Sequence, residues 1–142
     1  MAALDFVRAL RLMNVLPRTP LRAVAMAEWE QKLGRELPAE LKTLYGCFDG
    51  VDVSAMPVTS QGIRVWPLSE LRLTGPGESG AHGSCFVFAD FLLSSIEYGF
   101  SLETNDIVLL DGAASQVVAD ELADFLRKCL QDHPSIYGER QV

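Results

Sequence analysis

The chain lacks the long apolar run that a membrane helix requires. No stretch of its 142 residues approaches the roughly 20 apolar positions that cross a bilayer. Histidine is scarce, with His82 and His133 alone. Cysteine is an odd set, Cys47, Cys85 and Cys129, with no close spacing. Two histidines and three scattered cysteines suggest neither a zinc quartet nor a disulfide framework. Cys47 and Cys129 fall near apolar helix faces, so buried free thiols in a reducing cytosol are expected. Cations are scarce in the second half. From Leu73 onward three Lys/Arg stand against eleven Asp/Glu, a net −8, whereas through Arg72 nine stand against eight, a net +1. That balance disfavours nucleic acid, because phosphate binding needs cationic side chains. It suits a basic protein partner, whose encounter a complementary field speeds, and it also serves plain solubility. A secretory leader is not expected, since Asp5, Arg8 and Arg11 interrupt the first apolar run; Asp5 and the lack of serine argue against an organelle presequence.

What the chain does have is a clear helical grammar from Trp29 to Gly50. Leu21, Ala25, Trp29 and Leu33 recur every four residues, and Gly34 follows where a left-handed residue closes a helix. Thr19-Pro20 is a cap and first position for that helix. Pro38 opens the next one, in which Leu37, Leu41, Leu44, Tyr45 and Phe48 share a face, and Asp49-Gly50 ends it. Trp29 reads as a core anchor. Phe6, Val7, Leu10 and Met13 fit a short helix docked on the body, so residues 1–19 form an N-terminal helical extension and 20–142 the domain.

Strand signals come next. Ile63-Arg-Val-Trp-Pro-Leu, with apolar Ile63, Val65 and Pro67, reads as a short strand that Pro67 ends or places at an edge, and Ser69-Glu-Leu opens a helical turn. Thr74 to Gly83 is a glycine-rich loop, and whether it covers a ligand stays open. Cys85 to Leu93 is strand-like. Ile96, Tyr98, Phe100 and Leu102 alternate with polar or small residues. Ile107 to Leu110, the hairpin signal Asp111-Gly112 and Gln116-Val-Val complete a meander. Asp120 caps a last helix through Leu130, and the tail after His133-Pro134 is expected to fray. The fold class is therefore α+β: an antiparallel sheet of about four to five strands, with N-terminal and C-terminal helices on one face and the other face partly solvated.

Catalytic motifs are thin. Gly75 to Gly80 spells G-x-G-x-x-G, but a strand follows where a dinucleotide site needs a helix, and Pro76 removes an N–H. His82 and Cys85 lack a second ligand pair. Cys47 with His133 has no accompanying oxyanion-hole sequence, and Asp49 with Asp52 reads as an ordinary turn. No catalytic set, cofactor or metal is called for.

The ordered pieces resemble the SMI1/KNR4-like (SUKH) family. Trp29 to Leu33, Gly34 and Leu37-Pro38 are similar to its helix–"LG…LP" junction, and Leu41 to Gly50 to its second helix. Val65 to Leu71, Phe86 to Phe91, Tyr98 to Phe100 and Val117 to Leu130 are similar to its later segments. The likeness spans roughly 20–132. Asp49 stands where the family has asparagine, Asp120 where it has serine, and the first twenty residues are additional. The resemblance implies an α+β domain without shared catalytic apparatus. It also implies a protein-binding role: an immunity protein that neutralises a toxin, often a nuclease, or a regulatory interaction protein. A small-molecule-binding domain is the remaining alternative. Binding residues vary in that family, so none is carried over.

From the residues themselves, Asp90, Glu97, Tyr98, Glu103, Asp106 and Asp111 are expected on or beside an exposed sheet surface that meets a basic site. The competing reading makes these acids the ordinary solvated face of a half-buried sheet.

Overall fold

The computed structural model describes residues 2–12, 17–51, 62–75, 83–91, 96–111 and 114–138. Three helices come first: α1 (Ala2–Leu12), α2 (Ala23–Leu33) and α3 (Ala39–Cys47). Then come β1 (Arg64–Val65), a 3-10 turn (Leu68–Glu70), β2 (Arg72–Leu73), β3 (Cys85–Phe91), β4 (Ile96–Ser101), β5 (Ile107–Asp111) and β6 (Ala114–Ala119). Helix α4 (Leu122–Leu130) and a second 3-10 turn (Pro134–Tyr137) close the described chain. The fold is α+β. All strand pairs are antiparallel, in a six-stranded sheet of order β1-β3-β4-β5-β6, with β2 also pairing β3.

The helices cover one face of the sheet. Phe86, Phe88 and Phe91 of β3, Tyr98 and Phe100 of β4, and Leu109 of β5 share one core with residues of all four helices. Phe125 of α4 packs on Phe88 and Tyr98 at centroid distances of 5.7 and 4.8 Å, and Trp29 of α2 packs on Phe86 at 5.9 Å. Trp29 is only half-buried there. Helix α1 belongs to the same core through Ala3, Phe6, Val7 and Leu10, with Phe6 against Phe48 of the segment after α3.

Two β-bulges explain why alternation fails in places. One lies between Val87 and Ala89, the other opposite Ile107 and Val108. Each adds a residue to one strand, so that Phe88-Ala89 and Val118-Ala119 both reach the core as consecutive residues. The face away from the helices is less solvated than expected. Trp66, Cys85, Val87, Val108 and Leu110 form a second buried apolar cluster there. Gly99 of β4 lies among them; a Cβ on it would stand 2.8 Å from Cys85 Cβ and 3.3 Å from Leu110 Cδ1.

Several boundaries differ from expectation for identifiable reasons. Helix α2 begins at Ala23, not at Thr19-Pro20. The preceding segment instead pairs with the end of α3: Arg18 N–H donates to the Gly50 carbonyl and Leu21 N–H to the Tyr45 carbonyl, both at 2.9 Å. Helix α4 begins at Leu122 after Glu121, which makes no side-chain cap, so Asp120 is not its cap. Glu40 of α3 supplies the acceptor, taking Leu122 N–H at 3.1 Å. The expected fraying does not begin at Pro134: residues 134–137 form a 3-10 turn packed on the body. Ile136 and Tyr137 are buried, and Tyr98 donates its hydroxyl to the Ile136 carbonyl at 2.7 Å. The expectations for Met13, Asp52, Pro76 to Gly80 and His82 fall outside the described residues.

Buried polar groups fix the chain between helices and sheet. Asp49 accepts from Leu68 N–H at 2.7 Å and from Arg18 Nε at 3.3 Å, while Tyr45 donates to the Trp66 carbonyl at 2.8 Å. Gly50, at φ +63°, brings its Cα so close that a Cβ would lie 2.4 Å from the Trp66 carbonyl carbon. Gly34 closes α2 at φ +77°, but its missing Cβ would meet nothing within 4 Å. The two glycines should therefore differ. Gly34→Ala should lower unfolding stability by about 1 kcal/mol, the cost of a left-handed alanine. Gly50→Ala should cost ~3 kcal/mol or more, because backbone must move as well. Urea unfolding of both variants checks this; equal midpoints would contradict it.

Candidate interaction surface

The five acids among the six residues expected on one surface divide into three groups. Asp90 and Glu97 face each other across β3 and β4 and point away from the helices, as alternation from Ala89, Phe91, Ile96 and Tyr98 requires. Glu103 and Asp106 belong to the β4–β5 turn at the opposite end of the strands, about 15–20 Å away at the usual strand rise. Asp111 ends β5, half-buried, at the Asp90–Glu97 end of the sheet.

Tyr98 is corrected outright. It is fully buried on the helix face, between Phe91 and Phe125. Its place in the alternating run Ile96, Tyr98, Phe100 already put it there. Asp90 is corrected too, being 4% exposed. Its carboxylate accepts from the Trp66 indole N–H at 2.6 Å, which turns it into a support for the second apolar cluster.

The Asp90–Glu97 end is a set of engaged charges. Glu97 pairs with Arg72, and Arg64 pairs with Glu70 at 2.8 Å while donating to the Val51 carbonyl at 2.9 Å. Arg64 and Arg72 sit on the short strands that β3 takes as partners, opposite Asp90 and Val87. These partners were not singled out from sequence. A two-residue strand leaves no periodicity to read, and the Arg72–Glu97 pair is 25 residues apart in the chain.

The β4–β5 turn differs. Among the described residues no cation lies within ion-pair distance of Glu103 or Asp106. The turn is nonetheless firmly built. Asn105 takes a left-handed φ of +63° and donates its N–H to the Ser101 carbonyl at 2.9 Å; Ser101 N–H donates to the Asp106 carbonyl at 2.9 Å. Leu102 N–H donates to the Ser84 carbonyl, and the Glu103 carboxyl rests over Gly83, where a Cβ would approach it to 2.5 Å. Two carboxylates are thus displayed on a rigid corner, able to receive ammonium or guanidinium groups.

Other candidate chemistry is dispersed. Among the described residues no group of three His, Cys, Asp or Glu is placed to hold a metal ion. Cys47 lies at the end of α3, while the His133 ring bonds Ser135 in the C-terminal turn. A cleft of about 800 Å³ beside the start of α2 mixes Arg18 and Arg22 with Glu28 and Asp49, without a convergent set of one charge. Among the described residues no helix is long and apolar enough to cross a membrane.

No family model matches the chain. No curated protein matches it either.

Buried hydroxyls and thiols set the alkaline behaviour. Burial pushes the Tyr45 hydroxyl far up, helped by Asp49 and Glu70, and the Tyr98 hydroxyl likewise, helped by Cys129 and Tyr137. Burial also raises the Cys129 thiol, with Asp132 adding to it, and raises Cys47. The native chain keeps these protons where the unfolded chain releases them. Their contribution is therefore intact below about pH 8.5 and is lost progressively as pH rises past the unfolded values. The urea midpoint should fall between about pH 8 and about pH 10. A thiol reagent at the lower pH should label Cys47 slowly and Cys85 and Cys129 only after unfolding. Fast labelling of Cys129 in the native chain would contradict that burial.

Proposed function

We propose that this chain is a non-enzymatic protein-binding module of the SMI1/KNR4-like type, acting as an immunity protein that binds and neutralises a basic, nuclease-class toxin. One observation carries the reading: the β4–β5 corner holds Glu103 and Asp106 rigidly, with no cation of the described residues engaged on them. A nuclease must be basic where it takes phosphate, so a preorganised pair of carboxylates competes for the same site. Preorganisation matters because ordering a loop on binding would subtract from affinity. The net −8 of the chain from Leu73 onward adds long-range attraction. A regulatory partner with a basic surface would use the same corner, and its sequence would separate the two roles.

The test uses partners captured on the immobilised full chain from its own source lysate, identified by mass spectrometry, and then purified. Reversal of both acids, Glu103→Lys with Asp106→Lys, should slow association with the captured partner by about tenfold and flatten its salt dependence. These side chains are outside the core, so stability should stay within about 0.5 kcal/mol. A partner that binds both forms equally, or capture of no basic protein at low salt, would sink the proposal.

A further inference from the structure

Three helices leave a pocket where they meet. Helix α1 packs against both α3 and α4, and a cavity of about 130 Å³ opens between them. Ala2 and Ala3 of α1 and Ala123 of α4 line it, so the space exists because three side chains there stop at Cβ. Leu44, Leu122 and Leu126 add an apolar lining, each at most 3% exposed. Two polar residues of α3, Glu40 and Thr43, stand three apart on one helix face and line the same pocket. One oxygen of Glu40 accepts the Leu122 N–H at 3.1 Å, and among the described residues no donor reaches the other. Thr43 is exposed at the mouth, and its hydroxyl has no partner among the described residues.

We propose that this pocket is a socket for a lysine side chain of the basic partner, a role that rests on the function proposed for the chain. A cavity of about 150 Å³ takes a benzene ring, so this one has room for the four methylenes of a lysine stem. The stem lies along Leu44, Leu122 and Leu126, as long cationic side chains do on apolar surface. The ammonium donates to the second Glu40 oxygen and to the Thr43 hydroxyl. Charge at the mouth suits a cation. Glu121 and Asp124 are held by Arg127 and Lys128, but Asp120, just before α4, meets no cation among the described residues. The partial positive charge at the start of α4 is already met by Glu40 through its bond to Leu122. The socket also lies at the displayed end of the sheet. Ala119 pairs with Ile107, next to Asp106, and Leu122 follows three residues later, within about 15 Å of Ile107. A partner steered by Glu103 and Asp106 thus meets an apolar anchor site beside them, which a charged rim by itself lacks.

Methyl NMR of the full chain with n-butylammonium, n-butanol and pentanoate tests the socket without any partner. The ammonium should shift the Ala3, Ala123 and Leu126 methyls to saturation, the alcohol should bind about tenfold more weakly, and the carboxylate should not bind. Glu40→Gln keeps an acceptor for the Leu122 N–H, so the fold should hold while the ammonium loses its advantage over the alcohol. Equal binding of ammonium and alcohol by the unaltered chain, or no shift at those methyls, would overturn the socket whatever the chain binds. Ala123→Leu fills the space. If a basic partner is captured, this variant should release it about tenfold faster with association unchanged, the reverse of the Glu103→Lys, Asp106→Lys effect. Unchanged release from a folded Ala123→Leu chain would count equally against the proposal.

Discussion

The buried carboxylate of Asp49 is the interaction on which the helix–sheet junction depends. Its two oxygens take donors from segments far apart in the chain, Arg18 before α2 and Leu68 after β1. Its own N–H donates to the Arg18 carbonyl, and the next residue but one, Val51, donates to the Val65 carbonyl at 3.0 Å. Three strips of backbone are thereby sewn together at one side chain that is 9% exposed. Removing the carboxylate would strand the buried Leu68 N–H, and a buried donor without acceptor is costlier than the bond it loses. The neighbouring Gly50 allows the strips to touch, and Tyr45 secures the Trp66 carbonyl from the α3 side.

Charge is arranged differently on the two ends of the sheet. At the Asp90–Glu97 end, acids are absorbed into pairs with Arg72 and the Trp66 indole. Those pairs brace the short β1 and β2 strands, whose few backbone bonds would hold weakly alone. At the Glu103–Asp106 end, acids are displayed. Similar residues on one sheet thus do opposite work, according to whether a side-chain donor from the first half of the chain reaches them.

Local signals made much of the fold legible in the sequence. Gly34 closes α2, the four long strands lie where alternation and turn residues put them, and α4 follows its apolar stripe. What escaped depends on distance. Glu40 caps α4 from 82 residues away, so no inspection around Asp120 could find it. Strand β1 is legible as a short strand from Ile63, but β2 exists because β3 recruits it, and its two residues carry no period. The bulges broke the two-residue rhythm at Phe88-Ala89 and Val118-Ala119, which hid how much of each strand enters the core. At the site, the turn acids Glu103 and Asp106 were readable as polar positions. The burial of Asp90 was not, because its partner Trp66 lies 24 residues earlier. Tyr98 was misplaced by counting it with its charged neighbour rather than with its own apolar register.

Gly99 and Cys85 share one volume at the centre of the sheet's far face. The Cys85 Cβ, 2.8 Å from where a Cβ on residue 99 would stand, occupies the space that a β4 side chain would fill, so neither position varies independently of the other. A side chain at 99 demands that 85 give up its own, with Leu110 as the third wall. Sequences that descend from this chain should carry that exchange as a linked pair, an imprint of packing that owes nothing to any partner the protein binds.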